Sequence, residues 1–205
     1  MLKTIARLLA IGFVAVPLAA NAVVYQFNAS LNQAHEIGAI AAASGATGIA
    51  SLSYNDFGTV SLLDDKYDFT MSVFGLTGVA TGFHIHAAAT TVENAPVRVF
   101  MDVAPFVNFK SGGTLLVGGD DVAAPSFGAT PASGVNAGHP AMSFLDILKG
   151  SLAYVNVHTA ANPGGEVRGQ LIQVVAVPEP ETYAMMVAGL GLIGWIGARR
   201  RKSGT

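Results

Sequence analysis

Apolar and polar residues alternate one for one in "KYDFTMSVF". Tyr67, Phe69, Met71 and Val73 fall on one face of an extended chain, and Asp68, Thr70 and Ser72 on the other. A period of two is incompatible with a helix, whose faces repeat every 3.6 residues, so this stretch reads as a half-buried strand. Similar runs recur as "VVYQFNASL", "GIASLSYN", "GTVSLL", "GFHIHA", "VRVFMD", "GTLLVG", "SLAYVNVHT" and "EVRGQLIQVVAV", separated by Gly, Asp, Asn and Pro. Many short strands with turn signals between them predict an all-β domain, an antiparallel Greek-key sandwich or barrel. "ANPGGE" predicts a turn in which Pro163 presets φ and Gly164 or Gly165 takes positive φ, which makes "AYVNVHT" and "EVRGQLIQ" a hairpin. "SFLDILK" is the one helical patch outside the chain ends, and Gly118–Pro140 reads as a long, poorly patterned loop.

The two ends follow different rules. "MLKTIARLLAIGFVAVPLAANA" has Lys3 and Arg7 in a basic start, an apolar run, and Ala20 and Ala22 in a small-x-small cleavage site. This is the anatomy of a secretory signal peptide over 1–22, a helical segment handled by the Sec export machinery. At the other end, 182–198 is an uncharged stretch of 17 residues closed by Arg199, Arg200, Arg201 and Lys202. As a helix it spans about 25 Å, the short limit for crossing a bilayer, and the basic cluster suits a membrane-side anchor held in the cytoplasm. Export from one end and retention at the other place the middle of the chain outside the cytoplasm.

Between them lies a body over 23–176, 154 residues and long enough for one domain with its own core. It carries five Lys and Arg against eleven Asp and Glu, a net −6, which argues against nucleic acid as a partner. The chain has no cysteine, so burial rather than disulfides must hold the fold in an oxidising compartment.

Three histidines carry the candidate chemistry. His84 and His86 in "FHIHA" share one face of a strand, with Cβ atoms about 7 Å apart. In "YVNVHT" the residues Tyr154, Asn156 and His158 share a face opposite Val155 and Val157. If the two strands are neighbours, His84, His86 and His158 form a three-nitrogen site suited to copper or zinc. The other motifs offer less. "HEIGA" has Ala39 where a zinc protease needs its second His. Asp64-Asp65 and Asp120-Asp121 read as solvated turns, and His139 as an exposed loop residue. Glu166 and Arg168 alternate to one face, where they are expected to pair with each other or with Tyr154 and so fix the hairpin register.

Pro178, Glu179 and Pro180, followed by a Gly-rich apolar segment and a terminal Arg cluster, closely resemble the PEP-CTERM sorting signal of Gram-negative bacteria over 177–205. The resemblance implies an exosortase as partner, cleavage near the Pro-Glu-Pro element, and delivery to the cell surface or exopolysaccharide matrix. "LAYVNVHTAANPGGEVRGQL", with "GFHIHAA" upstream, resembles the CHRD domain. That resemblance implies an immunoglobulin-like or barrel fold and no established catalytic activity. "GLTGVATGFHIHA" is similar to the copper-binding strand of Cu,Zn superoxide dismutases, and the likeness carries over to His84 and His86, with His158 as a third ligand. Cysteine and that family's His and Asp zinc loop are missing, so dismutase activity is not expected. The chain is expected to be a non-enzymatic binding or structural module of the envelope or biofilm matrix. Two alternatives are a copper or zinc protein, and an adhesin binding carbohydrate or protein through the Gly118–Pro140 loop.

Overall fold

The computed structural model describes residues 22–59, 61, 63–125, 139, 142–174, 185–193 and 195. Ten strands make one antiparallel sheet: β1 (Val23–Asn32), β2 (Thr47–Asp56), β3 (Lys66–Phe74), β4 (Ala80–Ala87), β5 (Val97–Phe100), β6 (Val107–Ser111), β7 (Thr114–Ala123), β8 (Ala153–Thr159), β9 (Val167–Gln170) and β10 (Ile172–Val174). The spatial order is β5-β4-β8-β9-β1-β2-β3-β7-β6, with β10 also paired to β1. Strands β1, β2 and β3 form a meander, and β9 returns to lie beside β1, a Greek-key order. The sheet curls into a half-barrel, so side chains from its two ends, Phe83 and Ile85 on β4 and Phe69 and Met71 on β3, share one buried core.

The alternation in β3 is realised residue by residue: Tyr67, Phe69, Met71 and Val73 are buried, and Asp68 and Thr70 exposed. The expected helical patch is the short helix α1 (Phe144–Lys149). The Ser143 hydroxyl oxygen accepts from Asp146 N at 3.0 Å and the hydroxyl donates to the Asp146 carboxylate at 2.7 Å, a reciprocal cap. This fixes the helix so that Phe144 packs edge-on against Tyr67, ring centroids 5.6 Å apart, with Leu145, Ile147 and Leu148 also buried. The hairpin of β8 and β9 also forms, and Gly165 is the residue that takes positive φ, at 134°.

Some expectations are corrected. "GTVSLL" is not a strand in its described residues. The Asp56 carboxylate accepts from Gly58 N, Gly58 has φ 72°, and Thr59 donates to Asp64, so the segment turns between β2 and β3. Strand β7 continues through Ala123, which removes the first six residues from the loop expected at Gly118–Pro140; 126–138, 140 and 141 lie outside the described residues. Strand β6 at the sheet edge was not among the expected strands. Asp65 is buried and accepts from the Tyr54 hydroxyl at 2.7 Å, and Asp121 sits in a bulge of β7 with φ 53° and pairs with Lys66. Asp65 is thus not solvated, and Asp121, though exposed, lies within a strand rather than a turn.

Of the two ends, Ala22 is described and lies just before β1; the remaining signal-peptide residues, Ala20 among them, lie outside the described residues. So do Pro178, Glu179, Pro180, Arg199, Arg200, Arg201 and Lys202. Within the apolar tail, 185–193 and 195 are helical, and Met185, Leu190, Ile193 and Trp195 are more than half exposed. Among the described residues, no helix is long and apolar enough to cross a membrane.

Candidate metal centre

Strands β4 and β8 are direct neighbours, and their register decides which side chains meet. Gly82 lies opposite His158, His84 opposite Asn156, and His86 opposite Tyr154. His84 is therefore diagonal to His158, and both point away from the core face occupied by Phe83, Ile85, Val155 and Val157. The small residue opposite His158 matters for space. A Cβ at Gly82 would lie 3.0 Å from His84 Cε1 and 3.4 Å from its Nε2, so only glycine leaves the ring where it is.

The three imidazoles expected from spacing are thus together. His84 and His158 have ring centroids 5.2 Å apart, and one ring nitrogen from each of the three lies within 4.8 Å of the others. Among the described residues this is the grouping of three side chains able to hold a metal ion. A tetrahedral site with nitrogen–metal bonds of about 2.0–2.1 Å brings its nitrogens to about 3.3 Å from one another. Loading therefore needs side-chain movements on the order of an ångström, within reach of imidazole torsions. A cleft of about 320 Å³, bordered by Thr81, Val97 and Pro163, opens beside the trio.

The protonation pattern favours ligation. His86 Nδ1 lies 2.8 Å from Ala95 O, and His158 Nδ1 lies 3.0 Å from Pro163 O. A carbonyl only accepts, so Nδ1 must carry the proton in both rings and Nε2 bears the lone pair. Both Nε2 atoms are buried, as is His84 Nδ1, and no protein group hydrogen-bonds to them. Burial holds all three histidines below the usual imidazole range, His86 down to about 4. At neutral pH the rings are neutral ligands rather than mutually repelling cations.

A connecting segment, 88–96, covers one side of this face. Arg168, 1 % exposed, holds it: the guanidinium donates to Thr90 O and Glu93 O, both at 2.9 Å, and to Asn94 Oδ1 at 3.1 Å. The same guanidinium lies 3.5 Å from the Tyr154 ring centroid, and Tyr154 stacks on His86 at 4.8 Å with an interplanar angle of 7°. The Tyr154 hydroxyl oxygen accepts from Ala95 N at 3.1 Å. Arg168, Tyr154 and Ala95 together set the position of His86.

The expected partnership of Glu166 and Arg168 divides in two. Arg168 does meet Tyr154, but no ion pair with Glu166 forms among the described residues. Glu166 is fully buried and accepts instead from Thr77 N at 2.7 Å and from the Thr77 and Thr159 hydroxyls. Burial pushes its pKa up, but these hydrogen bonds win and hold it below the usual carboxylate range. His139, expected exposed, is mostly covered and lies 3.1 Å from Glu93. Glu36, from the failed protease-like motif, accepts from Asn156 Nδ2 at 3.2 Å, and burial raises its pKa to about 7. The contacts of Glu166 with Thr77, of His139 with Glu93 and of Glu36 with Asn156 were not legible, because each joins residues more than forty positions apart in the chain.

With this geometry in view, two family models match. That of the CHRD domain covers residues 27–171, and that of the PEP-CTERM protein-sorting motif covers 176–202. No curated protein and no solved structure matches the chain. The sorting motif marks an exported, surface-sorted protein processed by an exosortase.

Proposed function

We propose a function from one premise: this chain belongs to the CHRD-domain family. Exported and sorted to the surface, the β-domain acts as a non-enzymatic binding module of the envelope or exopolysaccharide matrix, and what it binds is a transition-metal ion at His84, His86 and His158. The observation that carries this reading is the pair of buried Nε2 lone pairs on His86 and His158, aligned by Nδ1–H donation to Ala95 O and Pro163 O. Buried polar atoms are ordinarily paired, and a lone pair held out of solvent beside two others is a ligand set.

An all-imidazole set of three suits Cu²⁺ and Zn²⁺, and the general order of divalent affinities puts Cu²⁺ first. The lack of cysteine and of a His and Asp zinc loop supports a binding role over dismutase chemistry. Passage through the Sec machinery, by way of the segment ending at Ala20 and Ala22, accounts for export, and cleavage near Pro178, Glu179 and Pro180 for delivery to the matrix.

Metal titration of the purified full chain tests the centre. One Cu²⁺ per chain is expected, with uptake lost in both His84→Ala and His158→Ala. Undiminished uptake in the two variants would remove the site.

A further inference from the structure

Three ring nitrogens at the metal centre are out of solvent and without a hydrogen-bond partner among the described residues: Nε2 of His86, Nε2 of His158 and Nδ1 of His84. The first two bear lone pairs, because the Nδ1 protons of those rings go to Ala95 O and Pro163 O. His84 is turned the other way round. Its Cε1 and Nε2 lie 3.0 and 3.4 Å from the position a Cβ would take on Gly82, so the Nε2 edge of the ring lies over that glycine, which borders the open cleft. A proton on His84 Nδ1 would be buried without an acceptor, an arrangement folded proteins avoid. Asn156, opposite on β8, does not supply one. Its Nδ2 is given to Glu36, both ends of its amide lie 2.8 Å from the Cβ position of Gly165 by the β8–β9 turn, and its Oδ1 is itself without a donor. The proton of His84 therefore belongs on Nε2, and Nδ1 bears the lone pair that joins the other two.

The neighbours of Gly82 decide what receives that proton. On β8, Gly82 faces His158. On β5, Phe100 faces His84, and Met101 N donates to Phe83 O at 3.2 Å, so the pairing with β4 runs past the end of the strand. The alternation runs on as well, with Val99 and Met101 buried and Phe100 and Asp102 exposed. Asp102 thus comes beside Gly82 on the face that carries the histidines. His84 is the diagonal neighbour of His158 on one side and of Asp102 on the other, a spacing of about 7–8 Å that long side chains bridge. Because its ring leans over Gly82, the remaining gap is shorter. Charge agrees with this placement. Burial and His158 hold His84 below the usual imidazole range while Asp102 pulls the other way, and among the described residues Asp102 is the carboxylate whose charge bears on the trio.

Resting on the metal reading of this centre, we propose that His84 ligates through Nδ1, the opposite nitrogen from His86 and His158, and that Asp102 is its positioning residue, accepting the hydrogen bond from Nε2–H across Gly82. Each ring of the trio then has an acceptor behind it: Ala95 O for His86, Pro163 O for His158 and Asp102 for His84. The third differs in kind. A carbonyl orients a ring, whereas a carboxylate also makes it a more basic ligand and offsets part of the charge of a divalent ion held by neutral imidazoles. Asp102 is exposed, so swinging its side chain onto Nε2 gives up no buried contact. Gly82 serves both halves of the arrangement, since a side chain there would displace the His84 ring and stand between it and Asp102.

The experiment is a long-range proton–nitrogen NMR correlation on the full chain labelled at histidine, at neutral pH, first in EDTA and then with Zn²⁺, chosen because it is diamagnetic. In the zinc-loaded parent the ring proton is expected on Nδ1 of His86 and His158 but on Nε2 of His84, and in EDTA His84 should already hold the Nε2 proton. In Asp102→Ala, His84 should become a mixture of tautomers in EDTA while the other two rings keep theirs, and zinc affinity should fall by about 10–100-fold. Asp102→Asn keeps an acceptor oxygen without the charge and should fall less. Amide spectra establish that both variants of this exposed residue are folded. A zinc-loaded His84 with its proton on Nδ1 would overturn the proposal. So would parental affinity and tautomer in Asp102→Ala, or an equal loss in Asp102→Asn and Asp102→Ala with the tautomer unmoved, which would make Asp102 a distant charge and no hydrogen-bond partner. Failure of zinc uptake in the parent would overturn the metal reading and the Nδ1 ligation with it, whereas the EDTA spectra decide separately whether Asp102 holds His84.

Discussion

Glu36 is a carboxyl group in the wrong surroundings, and its titration should be measurable as stability. Burial raises its pKa from 4.5 to about 7, against the opposing pull of Asn156 and Arg168. Between these two values the folded chain binds more protons at this site than the unfolded chain does. Its contribution is therefore fully present below pH 4.5 and is lost as pH rises through about 7. Glu36→Gln keeps an acceptor for Asn156 and removes the charge. The variant should be more stable than the parent at pH 8, by about 1–2 kcal/mol once solvent screening of a partly exposed group is allowed for. Urea unfolding at pH 4.5 and pH 8 checks this; an equal difference at both would refute it. Individual residues were legible where spacing placed them, as with His84 and His86, whereas His158 joins them only because β4 and β8 are neighbours. The atoms that fix their tautomers were not, since Ala95 and Pro163 act through backbone carbonyls that no residue type announces.

Strands with one buried face were readable because alternation survives in the sequence, as in β3, and the β8–β9 hairpin because "ANPGGE" carries its own turn chemistry. Strand β6 escaped because it is an edge strand with Val107 and Phe109 themselves exposed, so its pattern does not separate an inside from an outside. Segment 88–96 escaped for another reason: its shape is imposed from a distance by Arg168, which supplies three hydrogen bonds across more than seventy positions of sequence. Such a segment should come loose as a unit. Arg168→Ala would strand the carbonyls of Thr90 and Glu93 and is expected to destabilise the fold by about 3–5 kcal/mol. Arg168→Lys, unable to fork between three acceptors, should cost less but still free the segment. In hydrogen exchange, amides of 88–96 should lose protection in Arg168→Lys while those of β2 and β3 keep theirs. Copper affinity should fall in parallel, because Ala95 O would no longer hold His86. Unchanged exchange over 88–96 would show that Arg168 is not its tether.

Across the whole molecule, the strand order places the beginning and end of the β body side by side. Gln26 near the start of β1 is the register partner of Val174 at the end of β10. Anything joined before Val23 or after Val174 thus leaves from the same end of this pair of strands, and neither strand needs what lies beyond it for its pairing. Within the tail, the apolar side chains Met185, Leu190 and Ile193 are exposed rather than part of the core that spans Phe27 to Leu171. That range of core residues coincides with the span matched by the CHRD family model. The sorting machinery can therefore cut the chain without unravelling the domain. The surface form recovered from its own host should lack the Arg cluster at 199–201, have a mass consistent with cleavage near Pro178, and melt within about 2–4 °C of the uncut chain, the shift that roughly 1 kcal/mol produces in a domain of this size. Substituting Pro178, Glu179 and Pro180 together should leave the tail attached, and Cu²⁺ uptake by the body should be unchanged. A large fall in melting temperature on cleavage would mean that the tail helps to hold the fold, and the division between sorting end and working body would then have to be abandoned.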